Sequence, residues 1–157
     1  MASLVRMASI GVVLVVCLGH GLAGFQSSQQ RVTVEFRLAE TAAGEGLTKA
    51  SVPGTDEHVY LHKESLITNR DIVKAHVVED PFMKDQMYSV HVEFTKEGAE
   101  RMSKATQAHY AKPLAILVDG KVISAPIVFE TISDRAAITG RMTKEEAERI
   151  AKGISSR

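Results

Sequence analysis

Six histidines, one cysteine and nineteen carboxylates bound the chemistry open to this chain of 157 residues. His58 and His62 stand four apart, a spacing that on a helix brings two imidazoles to one metal ion. Val59-Tyr60-Leu61 lies between them, and β-branched and aromatic types favour a strand. On a strand, side chains four apart share a face but lie roughly 13 Å from each other, too far to share an ion. His76, His91 and His109 have no carboxylate or cysteine at ligand spacing, so no metal site and no cofactor is predicted. A Ser/His/Asp acyl-transfer site would lack its Gly-x-Ser-x-Gly elbow, and no glycine-rich phosphate loop is present. Glu79-Asp80 and Glu145-Glu146 fit a solvated loop and a helix first turn better than an acid–base pair. The expectation is a non-catalytic chain.

The elements are legible from patterning. Val32, Val34, Phe36 and Leu38 alternate with polar residues, as do Tyr88, Val90, Val92 and Phe94; a period of two predicts half-buried strands. Thr41 to Thr55 predicts a loop with an extended piece at Leu47 to Val52, and Val59-Tyr60-Leu61 a short strand. One helical turn is expected over Asn69 to Val73, a strand over Ala75 to Val78, and a connector over Pro81 to Gln86. Thr95 is placed to cap a helix running to about Tyr110, with Glu97 in the first turn where the helix dipole favours negative charge. Pro113 follows its end.

Leu114 to Val118 (LAILV) is a continuous apolar run, the mark of a well-buried strand. Asp119-Gly120 then predicts a tight hairpin into Lys121-Val122-Ile123, because both turn residues need positive φ. Ala136 to Thr139 predicts one more strand. Thr143 and Glu146 form a capping box, and Ala147, Ile150, Ala151 and Ile154 make one apolar stripe. Runs of strands with interspersed helices predict an α+β fold, a mixed, mainly antiparallel sheet with helices packed on one face.

Composition narrows function further. The 19 basic and 19 acidic residues balance, and without a basic block nucleic acid is not an expected partner. The first 23 residues have signal-peptide order: Arg6, the apolar run Ala8 to Leu18, then Gly21-Leu22-Ala23. That run is well short of the roughly 20 residues a spanning helix needs. Cleavage after Ala23 would remove Cys17 and Arg6, leaving 18 basic against 19 acidic residues, a formal charge of −1, and no disulfide. Residues 24–30 make a polar tether and 31–157 the folded domain. Export to the periplasm or cell surface follows, and membrane contact arises only where residues 8–24 stay uncleaved as an anchor. Cys17 follows Val16, too bulky a neighbour for a lipid-accepting cysteine.

Four motifs occur in order. Phe94-Thr95 ends a strand, Glu97-Gly98-Ala99 opens a helix, Leu114 to Pro126 spells Leu-Ala-Ile-x-x-Asp-Gly-x-Val-x-Ser-Ala-Pro, and Ile138-Thr139-Gly140 leads to Thr143-x-Glu145-Glu146-Ala147. In this order they resemble the head subdomain of the first periplasmic domain of the SecD/SecDF protein-export family. Val59-Tyr60-Leu61, Leu66-Ile67-Thr68 and Asp71-Ile72 resemble the segment leading into that head, so the likeness spans about residues 57–154. It implies a head that contacts preproteins leaving the translocation channel. The family's proton-driven work belongs to transmembrane helices after this domain and is not carried over.

The expected function is binding of unfolded or exported polypeptide, or of a Sec translocase component, in protein export or envelope assembly. The alternative is a structural or interaction domain that reuses the fold. The hairpin residues Asp119, Gly120, Val122, Ile123, Ser124, Ala125 and Pro126 are the candidate contact, because a strand edge can add a peptide strand by backbone hydrogen bonding. Amino-terminal sequencing of the exported protein is expected to begin at Gly24; a sequence beginning at Met1 would refute cleavage.

Overall fold

In the computed structural model, which describes residues 31–79 and 88–155, the organising element is β7 (Leu114–Val118). All five of its residues are buried. A strand alternates its side chains between two faces, so both faces of β7 must be covered. β1 (Val34–Glu40) lies antiparallel along one side, with Val34 opposite Val118 and Leu38 opposite Leu114. β8 (Lys121–Ser124) lies along the other, joined by the Asp119-Gly120 turn.

Beyond β1, β3 (His58–Leu61) pairs with its far end and β2 (Thr48–Ser51) pairs with β3. The two-residue β4 (Ile67–Thr68) pairs with its near end. These six strands form one sheet, ordered β2-β3-β1-β7-β8 with β4 beside β1. A second sheet holds β5 (Ile72–Glu79), β6 (Tyr88–Phe94) and β9 (Arg135–Ile138), with β6 in the centre. Among the described residues two α-helices complete the fold, α1 (Lys96–Ala108) and α2 (Lys144–Ser155).

The two faces of β7 belong to two separate cores. Leu114, Ile116 and Val118 join Val34 and Phe36 against Val90, Val92 and Phe94 of the second sheet, Met102 of α1 and the α2 stripe. Phe36 and Phe94 meet edge to face at 5.8 Å between ring centroids, a favoured aromatic geometry. On the opposite face, Ala115 and Leu117 pack with Ala39, Val59, Leu61 and Val122. The six-stranded sheet thus has an apolar cluster on each side.

Local chemistry sets the boundaries. The Thr95 hydroxyl accepts from the Gly98 amide at 3.0 Å and caps α1. This helix ends at Ala108, before the expected Tyr110: His109 leaves helical geometry with φ −111° and ψ 30°, and Ala111 then turns to a φ of 58°. The capping box of α2 closes as expected. The Glu146 amide donates to the Thr143 hydroxyl at 3.3 Å, and the Thr143 amide to the Glu146 carboxylate at 2.9 Å. Ala147, Ile150, Ala151 and Ile154 are all buried. The expected turn after Asn69 is a 3-10 turn over Asn69–Asp71, and β5 starts directly after it at Ile72. The Pro81–Gln86 connector and the amino-terminal segments lie outside the described residues.

The α+β class and the antiparallel pairing therefore hold, with the strands divided between two sheets. The interior half of α2 tests this packing. Ile150→Asp is expected to unfold the domain, since an unpaired buried charge costs several kcal/mol, whereas Thr143→Ala should cost about 1 kcal/mol through the lost cap. Gly153→Ala separates propensity from packing. An added Cβ would lie 2.6 Å from the Val32 side chain. In a free helix the change would gain up to about 1 kcal/mol; here it should lower stability by about 1–3 kcal/mol as overpacking. Chemical denaturation of the three variants measures all of this.

Candidate functional site

The β7–β8 hairpin carries the candidate residues, and its turn is more than a connector. Asp119 and Gly120 have φ values of 50° and 75°, the positive pair that a two-residue hairpin with right-handed twist requires. One Asp119 carboxylate oxygen accepts from the Thr33 amide at 3.0 Å, and the Asp119 amide donates to the Thr33 carbonyl at 2.8 Å. The other oxygen accepts from the Arg149 guanidinium at 3.0 Å. Asp119 thus ties the turn to the entrance of β1 and to α2. Partial burial pushes its carboxyl up, but the Thr33 amide and Arg149 together outweigh this and hold it below the ordinary carboxylate range.

The remaining candidates divide between interior and surface. The Val122 side chain is buried in the second core, and Ala125 packs against it. Ile123 is half-buried against the main core, and Gly140 closes on its carbonyl, since an added Cβ there would lie 3.3 Å from that oxygen. The Ser124 hydroxyl is buried without a hydrogen-bond partner. Gly120 and Pro126 are exposed. Much of the hairpin is therefore committed to its own scaffold.

The open surface begins one residue later. The Leu114 amide donates to the Pro126 carbonyl at 2.9 Å, and the Val128 amide to the Lys112 carbonyl at 2.9 Å. These bonds bracket the antiparallel pair Pro113 and Ile127. A residue in such a non-hydrogen-bonded pair turns its own N–H and C=O away from the partner strand. Among the described residues nothing bonds to the outward N–H and C=O of Ile127, and this residue is 40% exposed. Beside it stand Phe129 and Tyr110, each 64% exposed, edge to face at 6.2 Å. Sequence reasoning missed all three. Pro126 masks the apolar continuation Ile127-Val128-Phe129, and the helical pattern assigns Tyr110 to the end of α1.

The histidines do not converge on one centre. His58 hydrogen-bonds Ser51 at 3.3 Å, and His62 lies 3.3 Å from the Glu40 carboxylate, which Lys112 also contacts at 3.2 Å. His109 is buried, with Nε2 at 2.8 Å from the Ala39 carbonyl, so it donates there and fastens the end of α1 to β1. His76 and His91 face each other across β5 and β6. Among the described residues no group of three or more His, Cys, Asp or Glu is placed to hold a metal ion. No helix among them is long and apolar enough to cross a membrane.

Fold and site together define an α+β module that offers an open strand edge flanked by aromatic rings. Residues 45–156 match the family model SecDF, P1 head subdomain, and the chain belongs to that family. The match begins ahead of the sequence likeness noted above. The chain is 38% identical over 95 residues to the protein translocase subunit SecD of Aquifex aeolicus, covering 60% of this chain and 18% of that protein. It is 33% identical over 143 residues to the protein translocase subunit SecDF of Thermus thermophilus, covering 81% of this chain and 19% of that protein. Its fold is similar to a solved structure of SecDF, described as a membrane component that enhances protein export. That match has a TM-score of 0.64 and 26% identity over 82% of this chain and 64% of the other. A structure of SecDF in a super-membrane-facing form matches with a TM-score of 0.63 at 27% identity, over 82% of this chain and 19% of the other.

The Asp119 tie has a pH signature. Its folded-state carboxyl titrates below the unfolded value, so its contribution is present above the ordinary carboxylate range and is lost as pH falls through the folded value. Asp119→Asn keeps the turn and an acceptor for Thr33 but loses the charge opposite Arg149. Both side chains are nearly half exposed, so the expected loss at neutral pH is within about 1 kcal/mol. Denaturation midpoints of the two proteins should converge in acid; a gap that widened there would refute the assignment.

Proposed function

We propose that this exported domain holds short extended stretches of unfolded polypeptide, in connection with protein export or envelope assembly, at the strand edge formed by Pro126 to Phe129. The observation that carries the reading is the unpaired backbone of Ile127, set beside the exposed pair Tyr110 and Phe129. An extended chain can add to such an edge through main-chain hydrogen bonds, which are indifferent to sequence. Its apolar side chains would rest on the two rings, the residue types that dominate binding energetics. The hairpin residues Asp119, Gly120, Val122, Ile123, Ser124, Ala125 and Pro126 support this edge: the turn fixes it to β1 and α2, and Val122 seats it on the second core.

Membership of the SecD/SecDF family supports a setting at the periplasmic or outer face of a membrane, with a Sec translocase component as neighbour. The histidines play no part at this edge.

Fluorescence anisotropy of a labelled, permanently unfolded exported polypeptide tests the proposal. The double change Tyr110→Ser and Phe129→Ser should weaken binding by about tenfold or more, equivalent to about 1.4 kcal/mol. Ile127→Pro, which removes the outward N–H, should weaken it as well. Val73→Ser, an exposed apolar residue on the other sheet, should change nothing. Circular dichroism must stay native throughout. Equal binding by wild type and all variants would overturn the assignment of this edge. Absence of binding by the wild type would favour a structural domain that reuses the fold.

A further inference from the structure

We infer that the solvent face of the second sheet carries a two-histidine site for a divalent late transition-metal ion of the zinc class, formed by His76 and His91. The two residues are direct partners in the β5–β6 ladder. Their rings stand 5.6 Å apart between centroids, with planes inclined at 58°. Two imidazole nitrogens bound at about 2.1 Å to one ion, at an angle between tetrahedral and trigonal, place their ring centres roughly 5.3–5.6 Å apart. The ring spacing therefore matches that of a shared ion, once each ring turns one nitrogen toward a common point.

The backbone beneath His91 is firmly held. Val90 and Val92, which flank His91, are fully buried in the main core, and β6 is paired on both sides. Room for the ion comes from β9, where Ala137 lies opposite His91. A hollow of about 370 Å³ opens there, lined by His76, His91, Glu93, Arg135 and Ala137. The nearby cations are already engaged, Lys74 with Glu93 at 3.2 Å and Arg135 with Asp134 at 3.1 Å. Two imidazoles with water in the remaining positions suit zinc, copper or nickel, and calcium and magnesium prefer oxygen donors. The spacing rules that dismissed a metal site look along one segment, and this pair is assembled by strand pairing between two.

Isothermal titration of the full chain with Zn²⁺ tests the site. Saturable binding of one ion is expected, with no comparable response to Mg²⁺. His76→Gln and His91→Gln should each weaken it by about tenfold or more, because either change breaks the chelate. His58→Gln should leave it intact. Both paired histidines stand on the outer face, so the variants should keep the native circular dichroism. Proton resonances of these two rings should shift together on Zn²⁺ addition to the wild type, an independent reading should a variant fail to fold. Zn²⁺ binding that survives either change, or ring resonances unmoved at saturating Zn²⁺, would overturn the site.

Discussion

The burial of β7 on both faces is the constraint from which the remaining architecture follows. Leu114, Ile116 and Val118 point one way, Ala115 and Leu117 the other, and all five are buried. Burying such a strand contributes on the order of 1.5–3 kcal/mol for each large side chain, but only where both faces find apolar cover. The second sheet, α1 and α2 cover one face. The other is closed by β3 and β8, whose Val59, Leu61 and Val122 join Ala39. The small residues Ala39 and Ala115 are both fully buried there, which allows close packing of backbone on backbone. A larger residue at Ala115 would force the second cluster apart.

What was legible in the sequence is what local chemistry decides. The LAILV run, the Asp119-Gly120 turn, the Thr143 capping box and the α2 stripe each need only near neighbours, and each took its expected form. The separation into two sheets was not legible, because alternation says that a strand has a buried face without naming the strand beside it. Pairing of β1 with β7 and of β6 with β9 spans long sequence distances. The role of Asp119 was hidden for the same reason, since its acceptor site is filled from Thr33, 86 positions away. Its identity as a turn residue was sufficient explanation from sequence alone. The open edge at Ile127 was obscured by Pro126, which removes one backbone donor yet leaves its carbonyl to receive Leu114.

Asn69 shows how the scaffold reaches the start of β1. Its side-chain amide donates to the Val32 carbonyl at 2.7 Å, and its carbonyl oxygen accepts from the Val34 amide at 2.6 Å. A single side chain thus mimics the strand partner that β1 lacks there. On the other side of the same segment, Thr33 is bonded to Asp119, and Val32 meets Gly153 of α2. Residues 32–34 are therefore held from three directions, by a 3-10 turn, a hairpin turn and a helix. The backbone entering β1 is thus anchored at residues 32–34, so tension applied there would be carried directly into the β1–β7 pair.

Under the proposed function, the geometry of the edge also sets how tightly a chain could be held. Gly140 closes on the edge at Ile123, so the clearly unpaired backbone is that of Ile127, and a second strand cannot add along the whole of β8. One outward N–H and one outward C=O contribute about 0.5–1.5 kcal/mol each on a net basis, and an aromatic anchor contributes about 2 kcal/mol or more. Association itself costs roughly 4–15 kcal/mol in lost freedom. Against that cost so few contacts are small, so any contact made at this edge alone is weak and rapidly reversible. In the role proposed above, where a passing polypeptide would be held through main-chain groups common to every sequence, such weakness would be a functional requirement. A longer open edge would hold a chain too long to release it, and would pair with other copies of the domain by the same hydrogen bonds.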